Sequence, residues 1–273
     1  MKKIEPRPFP RDSLSALPRH WLAGKALPTH LANGVSILFP AGERFFVRSV
    51  RKYLALVEKH PELLEQVKGF SGQEGFHARA HDEQIEVLEA QGYRVQPYLR
   101  AYEAVAYGFL EKVFPPNYRL ATTAACEHFT AIMAEGFLGE GFERADPAMR
   151  RLLMWHACEE IEHRSVAFDV LALVDPRYST RMAGLAIATV VLGGFWLSAT
   201  TYLMAQEPDA ARTALRELRE VMRFQPFGAR VFGRGIREYL ARDFHPANQT
   251  HLDALAAQHI DRAMRGEVAV AAE

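Results

Sequence analysis

The chain has 273 residues, and its 33 lysines and arginines are balanced by 33 aspartates and glutamates. A neutral chain of pI about 7.2 offers no basic surface for nucleic acid, and its length supports a sizeable core without disulfides or structural metal. Its two cysteines, Cys126 and Cys158, occur without any CxxC spacing, which suits a reducing cytosol and excludes a disulfide scaffold or thiolate zinc site.

The start, MKKIEPRPFPRD, has charges and prolines where a signal peptide needs an apolar run, so the expected location is cytoplasmic. Residues 1–39 read as an irregular arm. Pro40 within Phe39-Pro40-Ala41-Gly42-Glu43 opens a first helix that runs to about Glu58, with Phe46, Val50, Tyr53, Leu54 and Val57 on its apolar face. Further helices are expected over 62–91, ended by Gly92; over 98–113, stopped by Pro115-Pro116; over 117–140; and over 147–174, opened by Asp146-Pro147. No stretch alternates as a strand would, so the class is all-α.

Residues 182–205 carry no charge over 24 positions, enough to cross a bilayer's hydrocarbon core. Gly193-Gly194 divide the run into halves too short to span, which points to a re-entrant hairpin or a peripheral anchor at the inner face of the membrane. Ten arginines follow position 206, while Arg177 and Arg181 precede the segment; positive flanks on both sides argue against a single crossing. The competing reading covers this helix with protein, in the core or in a homodimer interface. Amphipathic helices over 209–224, 227–242 and 249–265 complete residues 176–273, packed on the bundle or on the membrane.

The chemistry lies in residues 40–175. Glu74 and His77 stand three apart on one expected helix, and Glu160 and His163 on another, so each pair shares a helix face and can ligate a common ion. Each pair follows a glutamate, Glu43 or Glu127, by 31 and 33 residues. A single Glu-x-x-His is a weak motif; the doubled arrangement with matched glutamates is much harder to obtain by chance. Glu43 is the weakest member, since a glutamate in a first helical turn ordinarily opposes the helix dipole. His156 and His81 fall on the same stripes and are candidates for a seventh ligand, a proton relay or a brace behind the ligands. Carboxylate oxygens and imidazoles suit two iron ions, with manganese or zinc as alternatives.

Glu43, Glu74, His77, Glu127, Glu160 and His163 resemble the ligand set of ferritin-like di-iron carboxylate proteins. That resemblance implies a four-helix bundle with these six as the catalytic metal ligands, here with extra C-terminal helices. The stretch from Trp155 to Asp169 (WHACEEIEHRSVAFD), with Phe244-His245-Pro246, is similar to bacterial proteins described as predicted metal-dependent hydrolases, over nearly the whole chain. His156 ahead of Glu160-x-x-His163 resembles di-iron arylamine N-oxygenases locally. Neither motif makes the His-Glu-x-x-His of zinc metalloproteases. The leading expectation is a non-heme di-iron oxidase or oxygenase. It would act on a hydrophobic small molecule or lipid and take electrons from an external reductase or ferredoxin. The alternatives are a two-metal hydrolase and a non-catalytic iron-binding protein.

Overall fold

The computed structural model describes residues 3–10, 14–141, 143–224 and 226–266. Proline stands in the first turn of each of the four helices that carry the site; its fixed φ suits a first helical turn, and its missing N–H costs nothing there.

In chain order, α1 (Ala26–Ser36) is followed by α2 (Phe39–Arg51), with Pro40 in its first turn, and by the short α3 (Leu54–Val57). Pro61 begins α4 (Pro61–Ala90), and the chain leaves it through Gly92 in left-handed backbone, φ 95°. Next, α5 (Gln96–Glu103) runs on into a π-helical stretch, π1 (Ala104–Leu110), and α6 (Glu111–Val113). Pro116 begins α7 (Pro116–Gly136), which tails into π2 (Phe137–Gly141). Pro147 begins α8 (Pro147–His163), capped by the Asp146 carboxylate, which accepts from the Ala148 N–H at 2.9 Å. The chain continues through α9 (Val166–Val174), α10 (Tyr178–Met204), α11 (Ala210–Phe224), α12 (Pro226–Leu240) and α13 (Thr250–Arg265). Among the described residues there is no strand, only an isolated bridge between Leu22 and Ala145. The fold is all-α.

Three expectations need correction. Residues 26–36 are helical rather than part of an irregular arm. The face that α1 buries is polar: Asn33 accepts from Trp21 Nε1 at 2.9 Å, and the Thr29 hydroxyl accepts from the Leu22 N–H at 3.0 Å. A helix with a polar buried face leaves no apolar periodicity to read.

The helix expected over 147–174 breaks at Arg164-Ser165. Arg164 donates to the carbonyl of Ile161, the acceptor that Ser165 would need in a continuous helix, and it also reaches the Pro246 carbonyl and the Asp253 carboxylate.

Finally, α10 runs unbroken through Gly193-Gly194, so the segment is no hairpin. Contacts directly after the glycines tie the helix to its neighbours: the Tyr98 hydroxyl donates to the Phe195 carbonyl at 2.8 Å, and Trp196 Nε1 donates to the Leu31 carbonyl at 2.7 Å. The helix is long and apolar enough to cross a membrane. One face, with Gly184, Leu185, Ala188, Ala199 and Leu203, is buried against protein, chiefly α7 and α1, while Ala186, Val190, Gly193 and Leu197 face outward.

Two large apolar cores and two smaller ones hold the helices. One large core gathers Val50, Phe70, Phe129 and Val170; the other gathers Leu152, Trp155, Ile161 and Leu252. Each large side chain buried this way contributes roughly 1.5–3 kcal/mol, so the frame does not depend on metal. Both α4 and α7 contribute to the two large cores.

Candidate metal centre

Glu43 comes from α2, Glu74 and His77 from α4, Glu127 from α7, and His156, Glu160 and His163 from α8. Side chains three or four apart on a helix share a face. All seven are buried, none more than 4% exposed. Glu43 lies beyond the first turn of its helix, so opposing the helix dipole is not its role.

The ligating atoms fall into two groups, Glu43 with His77, His156 and Glu160, and Glu74 with Glu127 and His163, the atoms of each group lying within 4.8 Å of one another. Glu74 and Glu160 join the groups. His77 Nδ1 lies 3.8 Å from Glu74 and 3.5 Å from Glu160, while His163 Nε2 lies 3.7 Å and 3.5 Å from the same two carboxylates. At the ends, His163 Nε2 is 3.2 Å from Glu127 and His156 Nε2 is 3.7 Å from Glu43.

The decisive feature is what these atoms lack. Both oxygens of Glu43, Glu74 and Glu127, one oxygen of Glu160, His77 Nδ1 and His163 Nε2 are buried without a hydrogen-bond partner. Native proteins rarely leave buried polar atoms unmatched, and an uncompensated buried charge costs several kcal/mol. Two divalent cations would satisfy all of these atoms together, and the four carboxylates would offset most of their charge. The residues therefore fit a pair of metal ions, which these seven side chains would hold.

Titration follows the same logic. Burial raises the carboxyls of Glu43, Glu74 and Glu127, with repulsion from Glu74 adding to it at Glu43. At Glu160 burial is outweighed by His163 and His156, which hold the carboxyl low. At His77 and His163 burial is likewise outweighed by the surrounding carboxylates, which hold both imidazoles high. The cations would displace protons held in this cluster.

Each imidazole has its other nitrogen braced. His77 Nε2–H donates to Glu159 at 3.0 Å, and Glu159 is held by Arg7 at 3.0 Å. His163 Nδ1–H donates to Gln73 at 2.9 Å; Gln73 donates to Glu162 at 2.9 Å, and Glu162 is held by the same Arg7 at 2.8 Å. His156 Nδ1 meets His81 Nε2 at 2.6 Å, and His81 Nδ1 meets the Ser36 hydroxyl, also at 2.6 Å. These partners select tautomers whose free lone pairs point into the cluster.

His81 therefore stands behind His156 rather than in either group, and burial beside His156 pushes its pKa well down. His128, the neighbour of Glu127, turns away and meets the Gly235 carbonyl at 2.8 Å. Arg7, Gln73 and Ser36 carry no role in the sequence motifs. The one available signal is a polar residue directly before each Glu-x-x-His: Gln73 braces the histidine of the second motif and Glu159 that of the first. A third group, His20, His30 and Glu207, differs, because its carboxylate already accepts from Tyr93 and faces Arg19 at 3.5 Å.

The model of a family described as a predicted metal-dependent hydrolase matches residues 5–250. The chain belongs to that family. The match to the predicted metal-dependent hydrolases takes in Arg7 and every candidate ligand from Glu43 to His163. No curated protein and no solved structure matches the chain. The family description agrees with a metal-dependent enzyme, and between the chemistries expected from the sequence it sides with the two-metal hydrolase over the oxidase.

Proposed function

We propose that this chain is a two-metal enzyme acting on an apolar substrate, with iron in both positions and molecular oxygen as co-substrate. The observation that carries the metal pair is the convergence of orphaned buried carboxylate and imidazole atoms from four helices. The mixed carboxylate and imidazole donor set is compatible with iron, and the apolar setting is the ground for reading it as oxidative. Behind Phe39, which packs on His156, lies a cavity partly open to solvent whose wall is almost wholly apolar. Gly42 and Cys126 in this wall adjoin Glu43 and Glu127 in sequence, and Thr130 lies three residues after Glu127. Substrates that suit such walls offer C–H bonds more readily than hydrolysable polar groups.

Bound in this site, the metal pair would supply either reduction of oxygen, with electrons from an external reductase or ferredoxin, or a water made nucleophilic near neutral pH. The chain's own residues do the rest. Glu159 and Gln73 fix the two facing imidazoles, Arg7 ties both braces together, and Phe39, packed at 4.8 Å on His156 and 4.9 Å on His81, separates the histidines from the cavity. Hydrolysis is the second reading, and the family description supports it.

Full-length protein purified without oxygen tests both. The first reading expects about two irons per chain and oxygen uptake after chemical reduction. Zinc or manganese at that stoichiometry, with ester cleavage and no oxygen uptake, would replace it by the second.

A further inference from the structure

The cavity beside the metal ligands has a charged end. Its wall comes from α2, the π1 region, α7 and α10, and the ionised side chains that line it are Glu111 and Arg119. Glu111 is already matched by Arg48, which grips its two oxygens at 2.8 Å and 3.3 Å. Arg119 approaches Glu111 only to 4.0 Å, beyond hydrogen-bond reach. Two guanidiniums thus face one carboxylate, leaving one surplus positive charge and a set of unused N–H donors on a half-buried arginine at the cavity wall.

Further along α7, about 16 Å from Arg119 at the helical rise, the wall reaches Thr130, and it includes Cys126 and Gly42, the sequence neighbours of Glu127 and Glu43. Between these ends the surface is aliphatic and aromatic, with one polar feature, the paired hydroxyls of Tyr102 and Tyr107 at 2.5 Å. These tyrosines are five residues apart. An α-helix would set them on different faces, whereas the i to i+5 bonding of π1 brings them together. π-helical turns occur frequently at functional sites. The same walls expose Phe109, Val113 and Val190 on their outer sides, apolar surface of the kind that meets a lipid aggregate.

We infer that the substrate is a single-chain fatty acid. Its carboxylate pairs with Arg119, whose fork suits bidentate carboxylate binding, and its alkyl chain lies along the cavity toward the metal ligands. The surplus charge calls for a monoanion. The inference rests on the proposed metal site for its chemistry, but ligand binding itself is read without turnover.

The test uses the full-length, metal-loaded protein with dodecanoate and its uncharged counterpart dodecanol, titrated by calorimetry below their aggregation limits. Dodecanoate should bind at one site per chain, about tenfold or more tighter than dodecanol, the scale expected of a charge-assisted pair. Arg119→Gln should remove that preference and leave dodecanol binding unchanged. Val191→Trp, which fills the cavity, should weaken both ligands, and Leu110→Trp provides a second block should the first variant fail to fold. Unchanged dodecanoate binding in Arg119→Gln, or no saturable binding by the wild-type protein, overturns the inference. Metal analysis of the same samples separates the two ideas. Two metals without dodecanoate binding sink the fatty-acid assignment alone, whereas dodecanoate bound by a chain that takes up no metal supports the pocket and removes the metal reading.

Discussion

At the residue scale, Arg7 is the most informative side chain outside the ligands. It reaches across the molecule from the N-terminal arm to hold Glu159 and Glu162, and through them it steadies His77 and His163. Removing partners of this kind typically costs ~10–100-fold in metal affinity. Arg7→Gln should therefore bind metal more weakly by about that factor, with its helical circular dichroism intact; unchanged affinity in a competition titration would count against the brace. Glu160→Ala and His163→Ala should go further and lose the centre, again with most helix retained. Glu74 with His77 and Glu160 with His163 stood out at helical spacing, His156 fell on the same stripe with its role open, and Glu43 and Glu127 rested on their matched distances of 31 and 33 residues from the two pairs. Arg7 was not, because its contacts with Glu159 and Glu162 span more than 150 residues and no local pattern encodes them. His81 lay on the right stripe but one layer out, a distinction that depends on where Ser36 sits.

At the element scale, α10 shows how composition misleads. Twenty-four uncharged residues read as a helix that is apolar on all sides, yet the structure gives it two unlike faces. A Cβ on Gly184 would lie 2.4 Å from the backbone of Ala121 on α7, while a Cβ on Gly193 or Gly194 meets nothing within 4 Å. Gly184→Ala should thus destabilise the protein by ~1–3 kcal/mol through overpacking. Gly194→Ala should be neutral or stabilising by up to ~1 kcal/mol, from helix propensity alone. Urea denaturation of both variants compares the faces directly, and equal effects would contradict the packing described for α7. The π1 stretch was also hidden: an apolar run reads the same whether its hydrogen bonds step by four residues or by five. The break between α8 and α9 could not be read either, since it depends on Arg164 meeting Pro246 and Asp253 far along the chain.

At the scale of the whole molecule, the helical frame and the buried cluster are energetically separate. The apolar cores carry the fold, and the cluster is a local cost that cations would relieve. Burial raises the carboxyls of Glu43 and Glu127 above the ordinary glutamate range, while neighbouring carboxylates hold His77 and His163 protonated to higher pH than a free imidazole. Cation binding must then release protons. Metal affinity should fall as pH is lowered, beginning at a pH above that of an ordinary glutamate carboxyl, because each raised group takes up its proton there. Calorimetry in buffers of different ionisation enthalpy measures the protons released, and none released would show that the cluster was already ionised.

The central claim is that α2, α4, α7 and α8 bring their glutamates and histidines around two cations. Anomalous diffraction from crystals of the anaerobically purified, full-length protein tests this most directly. The account predicts two metal peaks ~3.5–4 Å apart, one held by Glu43, His77, His156 and Glu160, the other by Glu74, Glu127 and His163, with Glu74 and Glu160 between them. A single peak, or none at these side chains in protein supplied with iron, would contradict it.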